Sequence, residues 1–368
     1  MTSSDVSPPP LVQLVASLNP GDAVSDFARE IAAWARHQGR DGGLIAGRMH
    51  PACSGESRLA AETDPADRRF RGAVLLYHHS IGAGLVEWVE RFAGRVVVVH
   101  HSITPPSYFE SWSPAHVGAA ELGQGELARL ARATASAWGV SEFDAGEARA
   151  AGFVEVGVLP IAPARTRLAN PPDRTLAARL ARRRGPTLLT VGRLAPNKRL
   201  EVLLAAHSLL ERAVPDAWLE IVGGDGGFEG YGLALRSLAR ELGLRRVEFR
   251  GSVTDAELVA CYQAASLFVF ASEHEGRGLP LLEAMHHGVP VIARRAGAVP
   301  ETVGDAAILL DGDDPERWAE EELRVLSDAA ARGALVARGR DRAAAALALD
   351  WGETLTRLGI DSGRPTAS

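Results

Sequence analysis

The chain has 368 residues, of which 46% are hydrophobic and 23% charged, with a net charge of −6 at pH 7. This composition is globular, and its acidic balance argues against a nucleic-acid binder working through a basic face. Two cysteines 208 positions apart exclude a disulfide scaffold, and no apolar run nears the ~18 residues of a membrane-spanning helix.

Residues 1–10, MTSSDVSPPP, show no basic segment followed by an apolar one. They are expected to be disordered, and the protein cytoplasmic. Leu11–Ala16 reads as a strand, followed by a turn at Asn19-Pro-Gly-Asp22. Val24, Phe27, Ala28, Ile31 and Ala35 then recur at helical spacing, the stripe of an amphipathic helix. Further strands are expected at Gly43–Ala46, Ala73–Tyr77, Arg95–His100, Thr134–Val140 and Val154–Leu159. Strands alternating with helices at this pace imply βαβ units and a parallel sheet covered on both faces. Pro160 to Pro172 is proline-rich and aperiodic, which reads as a linker.

A second series opens with Leu188–Val191, a Gly192 turn and a helix from about Leu200 to Arg212. Strands follow near Trp218–Val222, Val247–Arg250, Leu267–Phe270, Val289–Ala293 and Ala306–Leu309, and a helical tail runs over Pro315–Ile360. Expected boundaries are 11–165 for the first domain, 166–185 for the linker, 186–345 for the second domain and 346–368 for a C-terminal helix and tail. Doubly wound domains of this kind bind ligands beyond the strand ends.

Three groups of residues carry chemistry. Gly192-Arg-Leu-Ala-Pro-Asn-Lys198 lies between a strand and a helix, so Arg193 and Lys198 could serve a diphosphate at the helix entrance. A solvated loop with two surface charges is an equal reading of that spacing. Lys198 is the single lysine among 40 basic residues, and an ammonium is not interchangeable with a guanidinium. Glu273-His-Glu-Gly-Arg-Gly-Leu-Pro-Leu-Leu-Glu283 follows another strand. Gly276 and Gly278 admit close backbone approach, Pro280 suits a first helical turn, and Glu275 and Glu283 suit hydroxyl groups. Third are the pairs His78-His79, His100-His101 and His286-His287, whose spacing does not suit a metal. His101, ending a strand, is the best candidate among them.

Three other motifs read as structural. Gly223-Gly-Asp-Gly-Gly-Phe-Glu-Gly230 resembles a dinucleotide fingerprint but reads as a flexible loop, Asp311-Gly-Asp-Asp314 as a turn with a helix cap, and the runs Arg182–Arg184 and Arg294-Arg295 as solvated faces.

Leu189-Thr-Val-Gly-Arg-Leu-Ala-Pro-Asn-Lys198 and Ser272-Glu-His-Glu-Gly-Arg-Gly-Leu-Pro-Leu-Leu-Glu-Ala-Met285 together resemble the family-4 retaining glycosyltransferases, as do Val247–Ser252 and Gly288–Ala293. Tyr77–Gly82, His101–Pro105 and Val140–Phe143 resemble a bacterial subgroup of that family. The resemblance implies an α/β chain of GT-B fold. Two Rossmann-like doubly wound domains would face a cleft, with C-terminal helices packing back toward the N-terminal domain. It implies transfer of a hexose of mannose or glucose type, with retention, from a GDP- or UDP-linked diphospho-sugar to a glycan or glycolipid acceptor. No metal or other cofactor and no nucleic-acid partner would be needed, and peripheral contact at the inner membrane face is a further expectation.

Residue by residue, Arg193 and Lys198 match the pair holding the diphosphate. Glu275 matches the glutamate nearest the transferred sugar, Glu283 the one accepting from the ribose. Gly276, Gly278, Leu279 and Pro280 fall in the donor turn, and Val253 near the base. His101 falls beside the sugar, and Gly21 and Asp22 on the acceptor side, where the family often has two glycines. Arg277 replaces a usual aromatic; it would add charge near the donor or turn outward. On the same fold, a sugar-nucleotide isomerase, a phosphorolytic enzyme or a non-catalytic sugar-nucleotide binder are alternatives.

Overall fold

The structure, a computed structural model, describes residues 8–357, 359 and 360. The disorder expected at the N-terminus falls, for residues 1–7, outside the described residues. The chain divides into two compact units. The first comprises residues up to 105, 118–161 and 349 onward; the second comprises 106–117 and 162–348.

The first unit is built on seven parallel strands: β1 (Leu11–Leu18), β2 (Asp41–Met49), β3 (Arg58–Leu59), β4 (Val74–His79), β5 (Arg95–His100), β6 (Ser136–Gly139) and β7 (Glu155–Val158). Their order is β3-β2-β1-β4-β5-β6-β7. β1 and β4 are almost continuously buried, as parallel strands covered on both faces must be. Helix Ala23–His37 lays Phe27, Ala28, Ile31 and Ala35 into the core, on the stripe read from the sequence.

The second unit repeats the plan with β8 (Thr187–Val191), β9 (Trp218–Val222), β10 (Val247–Gly251), β11 (Leu267–Phe270), β12 (Val291–Arg294) and β13 (Ile308–Leu310). The order is β10-β9-β8-β11-β12-β13, all parallel. Strand order reverses between β1 and β4 in one unit and between β8 and β11 in the other. Such switch points leave a crevice at the carboxyl ends of the strands, where ligands bind.

Two boundaries differ from the sequence reading. Residues 166–185 are not a bare linker: helices Arg165–Leu168 and Arg174–Leu180 lie in the second unit, and Leu176 and Leu180 are buried. Pro171-Pro172 precede Asp173, which caps the second of these helices, so the prolines mark a helix entrance. Residues 106–117 cluster with the second unit although the chain around them builds the first. Their aromatic side chains find cover there: Phe109 and His116 pack on the fully buried Phe228 with ring centroids at 5.1 and 4.2 Å, and Trp112 meets Tyr231 at 5.1 Å. At the other end, helices Pro315–Ser327 and Ala329–Leu347 stay with the second unit. Helix Trp351–Arg357 belongs to the first, where Leu355 is buried and Trp351 packs on Phe27 at 5.4 Å.

Candidate functional site

The two motifs of the second unit leave the neighbouring strands β8 and β11. After β8 the chain turns at Gly192 (φ 154°), runs through a 3₁₀ turn at Pro196–Lys198 and enters helix Leu200–Ala213. After β11 it passes Ser272 and Glu275, turns at Gly278 (φ 72°) and enters helix Leu279–His286, with Pro280 in its first turn. Residues 77 positions apart thus share one corner of the sheet. Lys198 Nζ lies 2.5 Å from Glu275 Oε2 and 5.6 Å from the centre of the Phe270 ring. Glu275 also accepts from the Gly278 amide at 3.2 Å and from the Ser272 hydroxyl at 3.2 Å. The loops are stitched by backbone as well: the Glu273 amide donates to the Asn197 carbonyl at 2.8 Å, and the Asn197 side-chain amide to the His274 carbonyl at 3.1 Å. A small recess between the strand ends is lined by Thr190, Gly192, Arg193, Lys198, Phe270 and Ser272.

The glycine-rich segment after β9 is a component of this corner and not a free loop. The Gly192 amide donates to the Val222 carbonyl and the Leu194 amide to the Gly224 carbonyl, each at 2.9 Å. Gly223 (φ 145°) lies so close that a Cβ would stand 1.9 Å from the Gly192 carbonyl oxygen. Gly226 leaves room for the Arg193 stem, whose guanidinium lies 5.4 Å over the Phe228 ring. Sequence reasoning missed this segment because its glycines serve a neighbouring turn, a contact that no local spacing records. The available signal was their position directly after the strand beside β8. Gly223→Ala is expected to cost about 1–3 kcal/mol, from clash plus strained backbone, and to displace the Gly192–Arg193 turn. The denaturant midpoint checks this; an unchanged midpoint would refute it.

Glu283 sits apart from the Lys198–Glu275 contact. It is buried, accepts from the Tyr262 hydroxyl at 2.7 Å and pairs with Arg167 at 3.5 Å. Burial pushes its carboxyl pKa up, against Arg167 and Tyr262, which favour the charged form. Arg167, which also bonds Asp255 at 3.0 Å, was hidden in the supposed linker. Arg277 does not turn outward: it pairs with Glu301 at 3.4 Å and is mostly buried. Val253, half-buried, follows β10.

The basic runs read as solvated are partly interior. Arg183 is half-buried, lies against Trp218 and pairs with Glu220 at 2.7 Å. Arg294 bonds Glu273 at 3.0 Å and also Asp313. In a chain with one lysine, arginine fills structural and exposed positions alike, so a run of it reveals little about burial. Asp314 caps helix Pro315–Ser327, as the turn reading expected.

His101, Gly21 and Asp22 lie in the first unit. Asp22 is occupied as a helix cap, accepting from the Ser25 amide at 2.9 Å and its hydroxyl at 2.7 Å. Gly21 takes the left-handed conformation (φ 66°) that the turn before that cap needs. His101 follows β5, with its Nε2 3.0 Å from His78 Nδ1. His100 instead pairs with Glu147 at 2.9 Å.

Residues 174–342 match the family described as glycosyl transferases group 1. The D-inositol 3-phosphate glycosyltransferase of Corynebacterium glutamicum (strain R) is 35% identical over 173 residues, 46% of this chain and 41% of that protein. The chain thus aligns with about two fifths of that relative's length. Sucrose-phosphate synthase from Thermosynechococcus elongatus superposes with a TM-score of 0.71 at 20% identity, covering 95% of this chain and 97% of that one. Anabaena Alr3699/HepE, solved in complex with UDP-glucose, superposes with a TM-score of 0.69 at 16% identity, covering 95% and 98%. At these identities the structures speak for the fold. Residues 174–342 thus resemble a group 1 glycosyl transferase domain, GT4-like in its motifs, in a chain with the GT-B fold.

Proposed function

We propose that the protein is a retaining glycosyltransferase. It moves a hexose of mannose or glucose type from a GDP- or UDP-linked diphospho-sugar to an acceptor hydroxyl in cell-surface glycan or glycolipid assembly. It works in the cytoplasm, at the inner face of the membrane. The observation that carries the reading is the 2.5 Å contact of Lys198 with Glu275 at the β8–β11 switch point. It joins a cation fit for phosphate to a carboxylate fit for sugar hydroxyls, at the edge where ligands bind.

The hard step is departure of a diphosphate as negative charge grows on it. Fixed cations and amides stabilise that charge without reorganising at the moment of reaction. Lys198 and Arg193 supply the cations, and the Leu279 amide at a helix entrance supplies an oriented donor, with the Gly278 amide holding Glu275 beside it. These groups do this in place of a metal. Glu275 orients the hexose and Glu283, with Arg167 and Tyr262, holds the ribose. The leaving phosphate oxygen takes the proton of the incoming hydroxyl on the same face of the sugar, which retains the anomeric configuration.

A thermal-shift panel of UDP, GDP, ADP and their hexose conjugates tests donor binding. A ligand held only by the folded state at 100 times its Kd adds ~2.7 kcal/mol, so one base is expected to raise Tm clearly. No shift with any of them would overturn the reading. The proton NMR spectrum of the product then gives its anomeric configuration. A free sugar nucleotide or sugar phosphate, with no glycosylated acceptor, would identify an isomerase or phosphorolytic enzyme instead.

A further inference from the structure

Three polar side chains make a diagonal staircase across the centre of the first sheet. Gln13 on β1 pairs in register with Leu76 of β4, and His78 stands two residues further along β4. His78 pairs with Val99 of β5, and His101 stands two residues beyond that. A two-residue step keeps side chains on the same face of a sheet, so all three point the same way. Gln13 Oε1 lies 2.8 Å from His78 Nε2, and His78 Nδ1 lies 3.0 Å from His101 Nε2. Phe27 closes over both imidazoles, edge-on, at 5.5 and 5.8 Å. Gln13 and His78 are fully buried, and His101 is half-buried.

The chain of contacts has a direction. With the Gln13 amide oxygen facing His78 Nε2, as the contact places it, that nitrogen carries the proton between them. In the neutral ring His78 Nδ1 is then bare and accepts from His101 Nε2–H. His101 Nδ1 is left as a bare acceptor. Burial lowers the pKa of His78 to about 3 and that of His101 well below its usual value, so both rings stay neutral near pH 7. The titratable groups acting on His101 are His78, His100 and His79. A nitrogen with so low a pKa accepts a hydrogen bond without taking the proton.

We propose that Gln13 and His78 are positioning residues that lock His101 in its Nε2–H form and so present Nδ1 to a carbohydrate hydroxyl. The carbohydrate rests on the transferase reading; the locked tautomer stands without it. A non-directional, purely structural cluster would leave the tautomer unfixed.

The test uses the full chain labelled with ¹⁵N-histidine. Long-range ¹H–¹⁵N NMR is expected to show His101 and His78 with Nε2 protonated and Nδ1 bare, the His101 signals being identified by their loss in His101→Asn. The reverse polarity, or a mixture, would overturn the lock, whether or not the protein transfers sugar. Gln13→Glu places a carboxylate opposite His78 Nε2–H. A proton entering at His101 Nδ1 then lets Nε2–H pass to His78, which becomes an imidazolium paired with Glu. In that variant kcat/KM for transfer is expected to gain an acid limb, falling about tenfold per pH unit below the new pKa, alongside protonation of His101 Nδ1 in the spectrum. Nδ1 protonation in the spectrum with an unchanged rate profile would show that no ligand uses His101 Nδ1, and would overturn the positioning role.

Discussion

Lys198→Ala is expected to lower transfer at least ~10²-fold, the usual loss when one preorganised donor to a developing anion is removed. Its Nζ is the cation nearest Glu275, and its stem passes 3.8 Å from where a Cβ on Gly192 would lie. The loss should fall on kcat as well as KM, because the charge it meets grows as the diphosphate departs. Near-wild-type turnover would remove Lys198 from the site. Lys198→Arg should also be impaired, although arginine fills every other basic position in the chain. A compact ammonium fits between Glu275 and Phe270, and in the proposed reaction would turn to phosphate oxygens; a planar fork at the same place has no such freedom to rotate.

Glu275→Ala is expected to cost at least ~10²-fold for a different reason. The carboxylate holds Lys198, the Ser272 hydroxyl and the Gly278 amide at once. Removing it loosens the turn that aims Gly278 and Leu279, and misplacement near reacting atoms is costly even without lost charge. Glu275→Gln keeps the shape and one acceptor oxygen, so it should lose less. Equal rates for both variants would show that only the charge matters, and wild-type rates in both would exclude Glu275 from the site.

The central strands and both motif loops were legible because buried parallel strands are short apolar runs bounded by glycine. β8 and β11 fall where those runs lie, and Gly192 and Gly278 mark the turns after them. Other parts of the corner depend on packing between distant residues, which has no period. Gly223 matters through one carbonyl of another strand, and the aromatic residues of 106–117 through Phe228. Arg167 was obscured by Pro171-Pro172, whose backbone constraint reads as a break although it introduces a helix. Glu283 stood out by its spacing as a candidate, but its pairing with Tyr262 could come only from the fold.

The placement of residues 106–117 has a consequence for how such proteins can recombine. A crossover between two related genes at residue 162 would separate Phe109, Trp112 and His116 from Phe228 and Tyr231, which they cover. The inherited module that contains the second sheet is therefore discontinuous. A viable hybrid must carry this twelve-residue patch with 162–348, or match its aromatic surface to the new parent.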